Sequence, residues 1–364
     1  YQKAIELGTQ ALHVRESVLG KNHPEYAQSL SNLANYYSDL GNYQKAVELG
    51  TQALHIRESV FGRKSSDYAT SLNNLMIYYS DWGNYQKAIG LGTQALHIRE
   101  SVFGKNHPDY AQSLGNLASC YSDLGNYQKA IDLGLQALQI RESVLGKNHL
   151  SCAKSLNNLA NYYSASGNYQ KATELGIHAL NIIEIVIGKN NLSYAITLDN
   201  LANYYSALAN YQKAIELGSQ ALNIQESVLG SNHPDYAVSL NNLAGYYSAL
   251  GNYQKAIELG THALNIQNSI SGKNPSDYAS LLNNLAGYYS DLGNYQKAIE
   301  LGLQTLNIRE SVLSKNHPDY AASLNDLAIY YFALGNYQKA IELGTKALHI
   351  RKSVFGKVHP DYAG

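Results

Sequence analysis

Cysteine, methionine and tryptophan are nearly missing from this chain: two, one and one among 364 residues. Cys120 and Cys152 are too few for a disulfide framework. No stretch approaches the roughly 18 apolar residues of a membrane helix, and no secretory leader opens the chain. A charge excess is missing as well: 27 Lys and Arg face 28 Asp and Glu, a net charge of −1. That balance leaves no electrostatic footprint for nucleic acid or an anionic membrane. Phosphate-cradling Gly-x4-Gly-Lys-Ser/Thr loops are absent. No serine or cysteine stands apart as a nucleophile, since Cys120 and Cys152 occupy positions held elsewhere by tyrosine. Of the 12 histidines, all but His178 and His262 fall in two recurring positions with no cysteine or carboxylate cluster beside them. A metal site needs such a cluster. The expectations are therefore no catalytic residue, no cofactor, no metal, no nucleic acid and no membrane partner, with the cytoplasm as the default location.

What the chain has is a period. In the recurring phrase Gly-Asn-Tyr-Gln-Lys-Ala, the tyrosine falls at Tyr1, Tyr43, Tyr85, Tyr127, Tyr169, Tyr211, Tyr253, Tyr295 and Tyr337, in steps of 42 residues. Residues 24–61 serve as the type unit. Pro24 opens a first helix, where its fixed φ and missing N–H cost nothing. Leu30, Leu33, Ala34 and Tyr37 then form one apolar stripe of helical period. Gly41-Asn42 breaks it. A second helix runs from about Tyr43 with the stripe Tyr43, Ala46, Val47, Gly50, Ala53 or Leu54, and Val60, and stops near Gly62. So short a turn gives an antiparallel hairpin. One hairpin buries one face only, so neighbours must stack to complete a core. A glycine recurs inside the second helix, from Gly8 and Gly50 through to Gly344. Mid-helix glycine costs about 0.5–1 kcal/mol, so its repetition predicts close helix contact there.

Leu30-x2-Leu33-Ala34-x2-Tyr37 followed by Ala46-x3-Gly50-x2-Ala53 resembles the tetratricopeptide repeat. Leucine replaces the signature tryptophan, Gly50 stands where an aromatic is usual, and the closing proline is missing. The 42-residue form, with Leu54-x-Ile56-Arg57-Glu58 and the Gly104 to Ala111 loop, is similar to kinesin light chain repeats. The resemblance implies an all-α fold, a right-handed α-solenoid of about eight stacked helix-turn-helix repeats. It further implies one superhelical domain over residues 1–364. Both ends fall inside a repeat, so the chain is read as a piece of a longer array. The family's first helices line a concave groove that binds a peptide or helix.

On helix geometry, Gln28, Asn32, Asn35 and Asp39 lie opposite the apolar stripe of the first helix. Position 28 drifts (Gln28, Thr70, Gln112, Lys154, Ile196, Val238, Ser280, Ala322), and so does position 35. Position 32 hardly changes: Asn32, Asn74, Asn116, Asn158, Asn200, Asn242, Asn284, then Asp326. Asparagine is a poor helix residue, but its carboxamide both donates and accepts and so pairs with any peptide backbone. Asn32, Asn74, Asn116, Asn158, Asn200, Asn242 and Asn284, with Asn35, Asn161 and Asn203, are the candidate peptide-binding residues. The competing reading is that they bond the adjacent repeat and set the stacking. All 32 tyrosines occupy the four columns of Tyr26, Tyr36, Tyr37 and Tyr43. The Tyr36 column suits a groove, but packing against the neighbouring first helix is the preferred reading. Ile183 and Ile185 interrupt an Arg and a Ser column; exposed isoleucines there would make a contact patch, and drift in a middle repeat is the simpler, preferred reading.

The function expected is a protein-interaction scaffold that grips a peptide or helical segment of a partner, including a segment of its own flanking regions. The alternative is a regulatory or sensor segment of a larger protein whose NTPase or protease domain lies outside this chain. RNA binding by helical repeats is disfavoured by the balanced charge.

Overall fold

A computed structural model describes residues 2–269, 275–312, 315 and 317–355. They form 17 helices and, among the described residues, no strand. By internal contacts the chain divides into residues 1–187 and 188–364. The first unit begins with α1 (Gln2–Leu19). Four hairpins follow: α2 (Pro24–Asp39) with α3 (Tyr43–Phe61), α4 (Ser66–Asp81) with α5 (Tyr85–Phe103), α6 (Pro108–Asp123) with α7 (Tyr127–Leu145), and α8 (Leu150–Ala165) with α9 (Tyr169–Ile187). The second unit holds four more: α10 (Leu192–Ala207) with α11 (Tyr211–Leu229), α12 (Pro234–Ala249) with α13 (Tyr253–Ser269), α14 (Pro275–Asp291) with α15 (Tyr295–Val312), and α16 (Pro318–Ala333) with α17 (Tyr337–Phe355). Within each unit the second helices of the hairpins pack on their own first helix and, where the unit holds a next repeat, on the first helix of that repeat. The expected all-α helical-repeat architecture is what the chain adopts.

Local chemistry sets the boundaries. In the turn between α2 and α3, Gly41 takes φ +82°, and the Gly41 and Asn42 N–H groups donate to Ser38 and Tyr37 carbonyls at 2.8 Å. Asn42 then caps α3, its Oδ1 accepting from Lys45 N at 3.2 Å. The second helix ends where Gly62 (φ +79°) donates to the Glu58 carbonyl. His23 caps the first helix α2, and Pro24 occupies its first position. At 209 the turn glycine is replaced, and Ala209 is forced to φ 58°. It is the lone non-glycine among the described residues with positive φ.

The first-helix stripe is buried as expected, with Leu30, Leu33 and Ala34 in the core and Tyr37 half-buried. The second-helix stripe needs correction. Ala46, Leu49, Gly50, Ala53 and Arg57 are buried, while Val60 is 45% exposed. The reason is length. The second helix α3 has 19 residues against 16 in α2. Its last turn therefore runs about 4.5 Å past its partners, and Leu49 and Arg57 take the inward positions.

The recurring helical glycine sits at the point of closest approach. A Cβ on Gly50 would lie 2.9 Å from Tyr78 Cε2 and 3.0 Å from Leu75 Cδ2, both on the next repeat's first helix. Gly218 meets Tyr246 at 3.2 Å and Gly302 meets Leu327 at 2.9 Å in the same way. Gly90 is different, with nothing within 4 Å of its Cβ position.

Gly50→Ala should destabilise the first unit by about 1–3 kcal/mol, as overpacking does. Gly90→Ala should stabilise it by roughly 0.5–1 kcal/mol through helix propensity alone. Urea unfolding curves would read both, and equal shifts would refute the notch. Ala209→Gly should raise second-unit stability by about 0.5–1 kcal/mol in the same measurement, because glycine relieves left-handed strain.

Candidate functional site

Within each unit, first helices of consecutive repeats lie next to one another, as α2, α4, α6 and α8 do and as α10, α12 and α14 do. Polar bonds stitch them. Ser38 donates to Asp81 at 2.9 Å and Ser80 to Asp123 at 3.0 Å. Asn283 donates to Asp326 and Asn284 to Asn241, both at 3.1 Å. Asn73 is buried and donates to Ser113 Oγ at 3.0 Å.

The structure divides the candidate residues. Asn32 is exposed and accepts from Gln28 Nε2 at 2.9 Å. Asn284 is committed to Asn241. Asn74, Asn116, Asn158, Asn200 and Asn242 are half-buried and bond to no other described side chain. Asn35, Asn161 and Asn203 are exposed. Two of these also serve stacking: Tyr78 Oη donates to Asn35 Oδ1 at 2.6 Å and Tyr246 Oη to Asn203 Oδ1 at 2.9 Å. Each retains its amide N–H2 for another partner. At the equivalent position Ser119 bonds Tyr162 Oη at 2.9 Å. The Tyr36 column is thus a packing column. Tyr78, Tyr162, Tyr204, Tyr246, Tyr288 and Tyr330 are buried, and burial pushes the Tyr288 phenol up to about 12.

A row that sequence reasoning overlooked supports this face from beneath. Arg57 and Arg99 are 4% and 5% exposed. Arg57 reaches Ser71 Oγ on α4 at 2.8 Å and Gln28 Oε1 on α2 at 2.8 Å. Gln28 in turn donates to Asn32, so the cation polarises a chain that ends at a candidate residue. Arg99 likewise bonds Ser113, the Asp109 carbonyl and Thr70. Burial lowers both guanidinium pKa values, with Asp67 and Asp109 respectively opposing the shift. Gln28 and Thr70 are therefore structural partners and are not left free to choose a ligand. The signal was present in the sequence: 46, 50, 53 and 57 follow helical spacing, which puts arginine on the buried stripe.

Positions 28 and 57 are coupled in most repeats. Arginine occurs with Gln28, Thr70, Gln112 and Ser280, and with Ala322 where Arg351 is only half-buried, but gives way to Ile183 beside Lys154 and to Gln225 and Gln267 beside Ile196 and Val238. A buried guanidinium needs acceptors and cannot sit against a lysine or an aliphatic wall. Ile183 is consequently buried, which removes it from the expected contact patch, whereas Ile185 is 71% exposed. Ile196 and Val238 are exposed on the first-helix face.

Asp199 stands where other repeats carry Asn73, Asn157, Asn241, Asn283 and Asn325. It accepts from Ser239 Oγ at 2.6 Å and Gln225 Nε2 at 2.9 Å. Burial raises its pKa to about 6, against the lowering effect of those two bonds.

The loop histidines have a structural role that the sequence reading did not assign. Nδ1 of His23, His107, His149, His233 and His317 accepts the helix N–H two residues on, at 3.1–3.2 Å. Ser65 and Asn191 replace them as caps where His-Pro is lost. Among the described residues no three His, Cys, Asp or Glu side chains come together as metal ligands. No described helix is long and apolar enough to cross a membrane.

The tetratricopeptide repeat family profile matches residues 1–59, 41–101, 67–143, 115–185, 151–227, 193–269 and 277–353. Among solved structures, one similar chain is a candidate kinesin light chain from Podosopora anserina with nearly identical TPR-like repeats. It is 32% identical, with 57% of this chain and 98% of that one covered and a TM-score of 0.50. BtubC from P. vanneervenii is 21% identical over 65% of this chain and 92% of its own, with a TM-score of 0.53. The apo form of RapI is 17% identical over 79% and 98%, with a TM-score of 0.60. The last two likenesses concern the fold alone. No curated protein matches the chain.

Asp199 makes the second unit sensitive to pH. Its folded pKa lies above the 3.8 of the free side chain, so the unfolded chain ionises first as pH rises. Stability is then full below about 4, falls between about 4 and 6, and levels off above, a loss of about 2–3 kcal/mol. Asp199→Asn should remove this slope in thermal melts from pH 4 to 7.5, and an unchanged slope would contradict the assignment.

Proposed function

Because the chain belongs to the tetratricopeptide repeat family, a repeat scaffold that usually mediates protein interactions, we propose that it holds an extended segment of a partner protein against its first helices. The observation that carries the reading is the set of half-buried asparagines with unfilled carboxamides: Asn74, Asn116 and Asn158 in one unit, Asn200 and Asn242 in the other. Half-burial fixes the side chain before binding, which lowers the entropy lost on capture. A fixed carboxamide offers one acceptor and two donors, matching the C=O and N–H of a peptide backbone whatever its side chains.

Sequence preference then comes from the neighbours. Lys154 supplies a cation in the first unit, and Ile196 and Val238 supply apolar contact in the second. Gly245 leaves the helix backbone bare beside the Tyr288 hydroxyl, and Gly287 leaves open space where a side chain would stand. The second unit therefore favours bulky apolar side chains.

Peptide-array screening followed by affinity measurement tests this. Changing Asn74, Asn116 and Asn158, all in the first unit, to alanine should weaken the selected peptides at least tenfold, from about 0.5–1.5 kcal/mol per lost bond. The melting temperature should hold, since none of the three bonds a neighbour. Full affinity in the folded triple variant would overturn the proposal.

A further inference from the structure

One repeat breaks the charge pattern on its outer surface. The position three residues after the recurring lysine is acidic in Glu6, Glu48, Asp132, Glu174, Glu216, Glu258, Glu300 and Glu342. In most repeats it pairs with that lysine, as Lys45 does with Glu48 at 2.9 Å and Lys213 with Glu216 at 2.8 Å. In α5 the position is Gly90, and Lys87 lies instead 4.3 Å above the Tyr79 ring. The loop that precedes α4 breaks the pattern too. It reads Gly62-Arg63-Lys64-Ser65, where other loops read Gly-Lys-Asn-His, as at Gly104 to His107. One carboxylate is lost and one ammonium gained.

Both departures border the same depression, of about 560 Å³, between that loop and α5. Arg63, Lys64, Gly90, Gln94 and His97 line it over an Ile98 floor. No carboxylate is among the lining residues. Glu58 pairs with Arg63 Nε, and Glu100 stands 4.0 Å from His97 Nδ1. The Thr93 and Ser101 hydroxyls donate to the Ile89 and Ile98 carbonyls. The Lys64 ammonium, the outer nitrogens of Arg63 and the Gln94 amide remain for a ligand. From Gly90 to Ser101 the wall extends roughly 16 Å along the helix, the span of about five extended residues.

We infer that this depression takes the carboxylates of an acidic segment of a partner protein. The cations stand on the loop and the Gln94 amide on α5, on two sides of the depression, which fits an extended chain of carboxylates lying between them; a phosphate group calls for donors converging on one point. The missing Gly90 side chain leaves both the room and the charge imbalance that an incoming glutamate or aspartate fills. The surface belongs to a second helix, so it stands or falls apart from the first-helix face.

Fluorescence anisotropy of a labelled octaglutamate peptide, titrated with the whole chain at low salt, tests the inference. Binding should appear and weaken as salt rises. Lys64→Asn and Gly90→Glu each install the residue of other repeats. Each should weaken binding roughly two- to fivefold, and together roughly tenfold. Gly90→Gln fills the same space without charge and should retain most of the affinity. Absence of binding, equal affinity in the double variant, or equal loss with Gly90→Gln would overturn the inference. Displacement by inorganic phosphate at constant ionic strength would overturn it also, in favour of a phosphate site.

Discussion

Inside each unit a second helix that is followed by another repeat has to pack against two first helices at once, its own and the next. Nearly everything else in this chain follows from that requirement. The approach to the next repeat is close enough that a methyl group at Gly50 would strike Tyr78 and Leu75. Glycine there costs helix propensity, and the cost is offset by seating a tyrosine ring and a leucine in the notch. Where the neighbour's side chain changes, the notch adapts. At Gly92 the notch is occupied from both sides, by Leu117 of the next first helix and by the flexible thioether of Met76 on its own first helix, where the other repeats carry alanine.

The second constraint is the fate of the arginine carried inward by the same packing. A guanidinium buried without a carboxylate partner survives by bonding neutral oxygens on both flanking first helices, Ser71 and Gln28 for Arg57. That ties position 57 to position 28. Once Lys154, Ile196 or Val238 occupies the latter, the arginine is gone. At α10 and α12 the exposed Ile196 and Val238 and the loss of arginine at 225 and 267 are therefore two sides of one substitution pattern, while Arg309 persists further along the same unit, bonded to Ser323 and the Asp319 carbonyl. Asp199 fits the same picture, since Gln225 in place of arginine leaves it no cation to pair with.

Much of this was legible without coordinates. The 42-residue step, the Pro24 start, the Gly41-Asn42 turn and the Leu30-Leu33-Ala34 stripe are local signals and appear where expected. The recurring glycine announced close contact because nothing else explains its cost. Less legible were the histidines at 23 and its equivalents, whose ring nitrogen caps a helix in the way a hydroxyl or carboxamide usually does. Val60 was placed inside because helical period alone does not know where the partner helix ends.

The sequence by itself determined the hairpin, its length and its repetition, because caps, turn glycines and apolar spacing act within one or two helical turns. Tertiary structure decided which asparagines are spent and which are free. Asn35 and Asn203 accept from tyrosines, and Asn284 reaches Asn241, all across 43 residues of chain. Such bonds depend on the offset between neighbouring first helices, and no pattern inside one repeat encodes that offset. Asn74, Asn116, Asn158, Asn200 and Asn242 are left unpaired by the same geometry.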